Sequence, residues 1–152
     1  MKIFKNTLNI VLLTMILLEF CNSCILEPIP TNSFITNKAT CKIELILYFD
    51  REKLEKIFSV GSYVNYLENY KGEHNSFGVT MISIDTARLI GKYLIDPGCS
   101  FVAYRQSNYK PDYIFNKLKI INQKDTLVIN GYEQLAKAFK QTEKRKFELL
   151  IK

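Results

Sequence analysis

The chain has 152 residues and carries 21 lysines and arginines against 15 aspartates and glutamates, which gives a formal net charge of +6. This length suits one domain with an apolar core, and the basic residues form no run long enough to serve as a nucleic-acid-binding arm. The six glycines are scattered and there is a single histidine. The composition therefore predicts neither a glycine-rich phosphate loop nor a metal or cofactor site.

Residues 1–23 have the layout of an export signal. Two lysines precede the apolar stretch "NIVLLTMILL", and the small-residue zone "CNS" follows it. The apolar stretch is shorter than the roughly 20 residues that span a bilayer. This pattern predicts export, with cleavage of a signal peptide between Ser23 and Cys24.

The segment "CNSC", which ends at Cys24, resembles the lipobox of bacterial lipoproteins. In that family the cysteine that follows the cut carries a thioether-linked lipid. The resemblance is confined to the signal and implies that Cys24 is lipidated, which would hold the protein on the periplasmic or surface side of a membrane of the bacterial cell envelope. No family is recognised for the rest of the chain. A retained signal anchor, or a secreted protein with an unmodified Cys24, is the alternative.

Two cysteines, Cys41 and Cys99, remain in the predicted mature chain. In an oxidising compartment such a pair can form a disulfide. Closing a loop of this length would stabilise the fold by about 4 kcal/mol on the chain-entropy model. The alternative is two separate buried thiols, which behave as small apolar side chains.

The segment after Cys24 has the composition of a linker. "ILEPIPTNSFITNKAT" contains two prolines and several Thr, Asn and Ser residues, without a sustained hydrophobic period. Residues 24–40 are therefore assigned to anchor attachment and a flexible tether. Residues 41–152 are assigned to one globular domain.

The globular range begins with a strand and two helical segments. Alternating apolar residues predict a strand in "CKIELILYF" at 41–49. Asp50 is placed to cap a helix in "REKLEKIFS", where Leu54, Ile57 and Phe58 form an apolar stripe. The tyrosines of "SYVNYLENY" recur at helical spacing, and we expect them to pack on the domain.

The rest of the chain is predicted to contain five strands and two helices. A strand in 77–84 precedes a helix in "TARLIGKYLI" at 86–95, which Asp85 would cap. Strands follow in "CSFVAYR", "YIFNKLKII" and "TLVIN", the last two as a hairpin. A helix in "YEQLAKAFKQT" at 132–142 and a strand in "KFELLI" close the chain. This order predicts an α+β fold: a single small domain with a mixed or mostly antiparallel sheet and two to four helices packed on it.

The segment "AYRQSNYKPDY" at 103–113 combines aromatic and polar side chains in a pattern typical of recognition loops. Tyrosine offers a large, rigid contact area with a polar tip, and a polar loop that contains proline stays at the surface. The alternative is that its tyrosines pack on the sheet. We predict a partner-binding surface formed by Tyr104, Arg105, Gln106, Asn108, Tyr109 and Lys110.

A row of basic residues marks the predicted last helix. Lys137, Lys140 and Lys144 recur at helical spacing, and Arg145 and Lys146 follow. A solvated helix face explains such a row, and cations also favour the C-terminal end of a helix. The functional alternative is attraction to an anionic membrane surface.

These observations favour a lipid-anchored accessory protein of the cell envelope with a non-catalytic binding role. Its partners would be the membrane, through the anchor, and another protein; an inhibitor or immunity-type protein is one specific form, and nucleic acid is not expected in this compartment. The alternative is a small envelope enzyme in which Cys41 or Cys99 acts as a nucleophile near His74. No motif surrounds that histidine, so we predict no catalytic residue.

Overall fold

Strands dominate the part of the chain that the computed structural model describes, which is residues 30–58, 60–70, 77–106, 110–123 and 125–152, without the side chains of residues 105 and 106. Strands take up 49% of these residues and helices 18%. In chain order the elements are β1 Thr31–Asn37, β2 Ile43–Phe49, α1 Arg51–Ile57, α2 Tyr63–Glu68, β3 Val79–Asp85, β4 Ile90–Ile95, β5 Ser100–Gln106, β6 Phe115–Ile121, β7 Thr126–Asn130, α3 Tyr132–Ala138, β8 Lys140–Glu143 and β9 Lys146–Ile151.

The strands form two sheets within one small domain. One sheet has the order β5-β1-β9-β8 and the other has the order β3-β4-β2-β6-β7. The pair β1–β9 is parallel and the remaining pairs are antiparallel. The predicted single domain with mostly antiparallel pairing is therefore confirmed. The expectation of one sheet covered by helices is wrong, because the strands divide between two sheets and the described helices have only six or seven residues each.

The hydrophobic core lies between the two sheets. Tyr93 of β4 and Phe101 of β5 belong to different sheets, and their ring centroids are 5.1 Å apart. Both side chains are completely buried. One continuous cluster of buried apolar residues joins the two sheets, so they behave as one packed unit.

Strand β1 lies inside the range that the sequence assigns to a tether. It is a central strand, paired with β5 on one side and β9 on the other. Four of its buried residues, Thr31, Ser33, Thr36 and Asn37, are polar, and this explains why the sequence shows no hydrophobic alternation there. The globular domain therefore includes residue 31 onwards and does not begin at residue 41. The predicted signal, the Cys24 anchor and the start of the tether lie outside the described residues.

Asn37 connects the end of β1 to both sheets. The residue is fully buried, and its backbone N–H donates to the carbonyl of Cys99 at 2.9 Å. Its side-chain amide donates to the carbonyl of Cys41 at 2.8 Å and to that of Ile95 at 2.9 Å. Its side-chain oxygen accepts from the N–H of Ala39 at 3.0 Å. A buried amide with all its hydrogen bonds formed fixes where the chain crosses between the sheets.

The helix predicted at 86–95 is wrong, because this segment forms a turn and strand β4. Asp85 does bind the next backbone amides, since its carboxylate accepts from the N–H groups of Ala87 and Arg88. The same side-chain contact starts either a helix or a turn. In β4 the buried residues Gly91, Tyr93 and Ile95 follow the two-residue period of a strand; a central glycine and a β-forming tyrosine favour this outcome.

The predicted C-terminal helix ends earlier than expected. Helix α3 stops at Ala138, and Phe139 adopts an extended conformation with its side chain buried. The residues after it form strand β8, which pairs with β9. The predicted row of lysines is therefore distributed over three elements, with Lys137 on α3, Lys140 on β8 and Lys144 in the turn between β8 and β9.

Other local predictions are confirmed. Asp50 caps α1, and its carboxylate accepts from the N–H of Lys53 at 3.1 Å. Strands β6 and β7 pair as the expected antiparallel hairpin. Tyr63 and Tyr70 are buried in the core, as expected for packing tyrosines. Of the predicted apolar stripe of α1, Leu54 is buried, whereas Ile57 is 52% exposed.

Buried tyrosines make the domain sensitive to alkaline pH. Tyr93 donates to the carbonyl of Tyr70 at 3.0 Å, and Tyr113 donates to the hydroxyl of Ser33 at 3.2 Å. Burial raises the pKa of Tyr93 and that of Tyr113 well above the usual value for tyrosine. An unfolded tyrosine loses its proton near pH 10, whereas these two keep theirs in the folded state.

The free energy of unfolding is therefore expected to hold up to about pH 10 and to fall above it, because the folded state then binds more protons than the unfolded state. Urea unfolding followed by circular dichroism across this range measures the effect. The double variant Tyr93→Phe/Tyr113→Phe should show a shallower fall than the natural protein. An equal fall in both would contradict the assignment.

Candidate functional site

The predicted partner-binding segment is divided by the structure. Tyr104 lies in β5 opposite Ser33, is only 3% exposed, and packs edge-to-face on the Tyr113 ring at 6.1 Å. It is therefore a core residue, and its assignment to a binding loop is wrong, because the strand continues through it. Arg105 and Gln106 end that strand, and their side chains are outside the described part.

Of the remaining predicted partner-binding residues, one can be placed. Asn108 and Tyr109 lie outside the described residues. Lys110 is described and exposed, at the start of the segment that leads to the buried Tyr113. Lys110 is thus the member of the predicted set that the structure leaves at the surface.

The two predicted cysteine partners are free thiols in the structure. Cys41 and Cys99 are both half-buried and unbridged. The Cys41 thiol donates to the side-chain oxygen of Asn122 at 3.1 Å. The Cys99 side chain lies against the backbone of Gly78, where an added Cβ would stand 2.3 Å from its sulfur. The predicted disulfide is therefore absent, and each thiol fills a separate local site.

The predicted enzyme alternative depends on a residue outside the part of the chain that the structure describes. His74, the only histidine of the chain, lies outside the described residues, so no cysteine–histidine pair can be described. Within the described ranges there is also no group of three or more His, Cys, Asp or Glu side chains that could hold a metal ion.

A groove of about 530 Å³ opens where three segments meet: the chain leading into β6, helix α3 and the β8–β9 hairpin. We call it the aromatic groove. This volume is in the range of sites that accept a small ligand or an inserted side chain. The groove is lined by Lys110, Pro111, Tyr113, Ala136, Phe139, Gln141, Lys144, Arg145 and Phe147.

The floor of the aromatic groove is made of three aromatic rings. Tyr113 and Phe139 stack in a tilted arrangement with centroids 4.8 Å apart, and both are buried. Phe147 is half-buried and packs against the same core. Because these rings belong to the core, the floor is held in one conformation before any ligand binds.

The rim of the aromatic groove is cationic. Lys110, Lys144 and Arg145 line it, whereas no carboxylate among the described residues does. The acidic residues next to them in sequence are already engaged, since Asp112 pairs with Lys53 and Glu143 pairs with Lys146. The local field at the groove is therefore positive and favours an anionic partner.

Arg145 occupies a backbone conformation that arginine rarely adopts. Its φ angle is +62°, in the left-handed region that favours glycine or asparagine. Such a conformation costs a non-glycine residue about 1–2 kcal/mol. Strained residues cluster at functional sites, and this one lies on the groove rim.

Lys53 fixes the position of the groove's loop wall. Its ammonium group binds the Asp112 carboxylate and donates to the Tyr113 carbonyl at 3.0 Å. The same ammonium group lies 3.8 Å from the centroid of the Tyr132 ring, at the start of α3. One side chain of α1 therefore ties two walls of the groove together.

A polar cluster completes this support. The Tyr132 hydroxyl donates to the Asp50 carboxylate at 2.7 Å, and the side-chain amide of Asn116 donates to it at 3.3 Å. Burial alone would raise the pKa of Asp50. The carboxylate accepts hydrogen bonds from Tyr132, from the N–H of Lys53 and from Asn116, and together these lower its pKa below the usual value. Burial and the hydrogen bond to Asp50 raise the pKa of Tyr132. Helix capping explains this cluster.

A second cleft of about 510 Å³ lies at the end of the domain where β2 begins and β9 ends. Its walls come from the β1–β2 connection, the β6–β7 turn and the C-terminus, with no aromatic side chain among them. Cys41 is the one thiol in its lining. A half-buried thiol that hydrogen-bonds to a neighbouring amide does not by itself define a site.

The sequence predicted part of the rim but not the groove. Lys110 belongs to the predicted binding segment, and Lys144 and Arg145 belong to the predicted basic row. The floor residue Phe139 lies in the predicted helix at 132–142, and the floor residue Phe147 lies in the predicted last strand. Their proximity to Tyr113 depends on how α3 and the β8–β9 hairpin fold back, and no local pattern encodes that.

Comparisons with protein-family models, curated protein sequences and solved structures found no match for the chain. The described helices include none long and apolar enough to cross a membrane. We therefore infer function from the residues of the domain.

Proposed function

We propose that the protein is a lipid-anchored binding protein of the bacterial cell envelope, and that its domain holds a protein partner in the aromatic groove. The anchor is inferred from the signal and from Cys24. The binding role is supported by the groove itself, a preformed aromatic floor surrounded by cations. An inhibitor or immunity-type protein, which neutralises a toxin or hydrolase, is the specific form that this arrangement suits.

The groove supports binding better than catalysis. Among the described residues, its lining contains three cations, five mainly apolar residues and one glutamine, but no carboxylate, thiol or histidine. General acid–base and nucleophilic mechanisms most often use such a group. Lysine and tyrosine can also serve, but Lys110 and Lys144 are exposed, and the Tyr113 hydroxyl is buried and donates to Ser33. A rigid aromatic floor inside a polar rim is instead the usual anatomy of a protein-binding hot spot.

Site-specific photo-crosslinking in the cells that encode the chain tests this proposal. Ala136 is exposed and lines the groove, so a benzoylphenylalanine placed there should form a discrete protein adduct. The same group at Thr126, exposed on β7 of the other sheet, should form none. Adding Lys144→Glu should remove the adduct at position 136, and adding Cys24→Ser should move it from the membrane fraction to the soluble fraction.

Each result decides one element of the proposal. Equal adducts at positions 136 and 126 would show that the groove is not the binding surface. An adduct that stays in the membrane fraction after Cys24→Ser would overturn the lipid anchor.

A further inference from the structure

The charges and the floor of the aromatic groove restrict what its partner can be. A purely anionic ligand would make no use of three aromatic rings, and a purely apolar one would leave the cationic rim uncompensated. The partner must therefore combine an apolar group with negative charges. Lys110 and Lys144 are both exposed, and neither forms an ion pair with a carboxylate among the described residues.

The cations come from separate segments of the chain. Lys110 precedes Pro111 in the segment that leads into β6, whereas Lys144 and Arg145 form the turn between β8 and β9. Two separate sources of positive charge suit a ligand with several carboxylates spread along its length. Gln141 lies cross-strand from the floor residue Phe147. Its side-chain nitrogen donates to the Glu143 carbonyl at 3.2 Å, and its side-chain oxygen can accept from a ligand backbone N–H.

We propose that the aromatic groove binds an acidic segment of its protein partner, with one aromatic or aliphatic side chain inserted on the floor and carboxylates on both sides of it. This inference rests on the proposed function and names the chemistry of the partner at the same site. The floor is concave and the rings are part of the core, so an inserted side chain can reach it, whereas the flat surface of an anionic bilayer cannot.

Fluorescence anisotropy with three labelled peptides tests the inference on the purified protein. The first peptide is Gly-Asp-Glu-Asp-Phe-Glu-Asp-Glu-Gly; the second replaces its phenylalanine with alanine, and the third replaces its acidic residues with asparagine and glutamine. The first should bind, and each of the others should bind about tenfold more weakly or worse. Binding of the first should weaken steeply with added salt, because the contacting charges are exposed.

Matched protein variants locate the binding. The double variant Lys110→Gln/Lys144→Gln should weaken binding of the first peptide by about tenfold, as expected for the loss of two exposed contacts to carboxylates. Lys56→Gln/Lys92→Gln removes the same net charge from exposed positions on α1 and β4 and should change the affinity less than about twofold. Circular dichroism of both variants checks that the fold is retained.

The inference is overturned if the uncharged peptide binds as well as the acidic one, or if both double variants lose affinity equally. It is also overturned if phosphatidylglycerol vesicles bind through Lys110 and Lys144 while the peptides do not, since the ligand would then be an anionic lipid. If crosslinks form at position 136 but no acidic peptide binds, the partner is not acidic and the proposed function still stands. If no groove-dependent crosslink forms, the proposed function itself fails.

Discussion

Replacing Asn37 with leucine is expected to lower the free energy of unfolding by about 3–4 kcal/mol. The side-chain amide of Asn37 satisfies the carbonyls of Cys41 and Ile95 and the N–H of Ala39, and leucine can satisfy none of them. A buried polar group left without a partner costs about 1–3 kcal/mol. Leucine branches at Cγ as asparagine does and is larger, so the loss arises from the hydrogen bonds and from overpacking and not from a cavity.

Urea unfolding followed by far-ultraviolet circular dichroism measures this loss. Asn69→Ala is the control, because Asn69 is exposed and, among the described residues, its side chain hydrogen-bonds only to the carbonyl of Asn65. That substitution should cost less than about 0.5 kcal/mol. A loss below about 1 kcal/mol for Asn37→Leu would show that water or a local shift replaces the missing bonds.

A second substitution at the same position separates the hydrogen bonds from the packing. Asn37→Asp keeps the shape and the acceptor for Ala39 but directs a carboxylate at the carbonyls of Cys41 and Ile95. Burial and those carbonyls should raise the pKa of the introduced carboxyl above its unfolded value of about 3.9. The loss in free energy of unfolding caused by Asn37→Asp is then present at pH values above the raised pKa. The loss becomes smaller as the pH falls through that pKa and the carboxyl is protonated. A penalty that does not change between about pH 7 and pH 4 would contradict the assigned contacts.

The elements that the sequence predicted correctly are those with strong local signals. In β2 an apolar residue recurs at every second position opposite a mixed face, Asp50 precedes a short apolar-striped helix, and the β6–β7 hairpin has polar residues in its turn. Each signal needs only neighbouring residues and is not altered by the rest of the fold.

The elements that were missed depend on the rest of the fold. In β1 the buried residues Ser33, Thr36 and Asn37 are polar and find partners in other elements, so no local pattern marks them as core. The segment of β4 carries both a helix-like apolar spacing and a strand-like one, and only its pairing with β2 and β3 decides between them. Tertiary pairing overrides local propensity in both cases.

The sequence predicts some residues of the aromatic groove but not that they lie close together. The tyrosine-rich segment and the basic residues were both noted as recognition features, but they are about 30 residues apart in the chain. Their meeting depends on the contact between the ring of Tyr113 and that of Phe139, where α3 ends. A sequence pattern shows the residue types of such a site, but not how the fold brings them together.

Replacing Gly91 with alanine is expected to destabilise the domain by about 3 kcal/mol, because the Tyr93 ring covers this glycine. A Cβ at position 91 would lie 2.6 Å from the Tyr93 hydroxyl oxygen and 2.8 Å from Cε2 of its ring. The ring is completely buried, packs on Phe101 at 5.1 Å, and donates to the Tyr70 carbonyl at 3.0 Å. It cannot move away without breaking these contacts, and overpacking of this kind costs about 1–3 kcal/mol or more.

Gly131→Ala is the complementary control for backbone strain. Its φ is +86° and its ψ is +155°, a region that is essentially restricted to glycine, and an added Cβ would meet nothing within 4 Å. This substitution should therefore cost only the backbone penalty of about 1–3 kcal/mol. Gly91 is not one of the described glycines with a positive φ, so the cost of Gly91→Ala is steric. The pair therefore separates a lack of space from a lack of conformational freedom.

A double-mutant cycle identifies Tyr93 as the obstacle. Tyr93→Leu shortens the side chain and has its own cost, through the lost hydrogen bond to Tyr70 and the lost contact with Phe101. In that background Gly91→Ala should cost less than about 1 kcal/mol, which gives a coupling energy of about 2 kcal/mol or more between the two positions. If alanine costs the same in both backgrounds, the Tyr93 ring is not what excludes a side chain at position 91, and the assignment is wrong. A large coupling energy instead means that glycine is required at position 91 because this ring joins the two sheets.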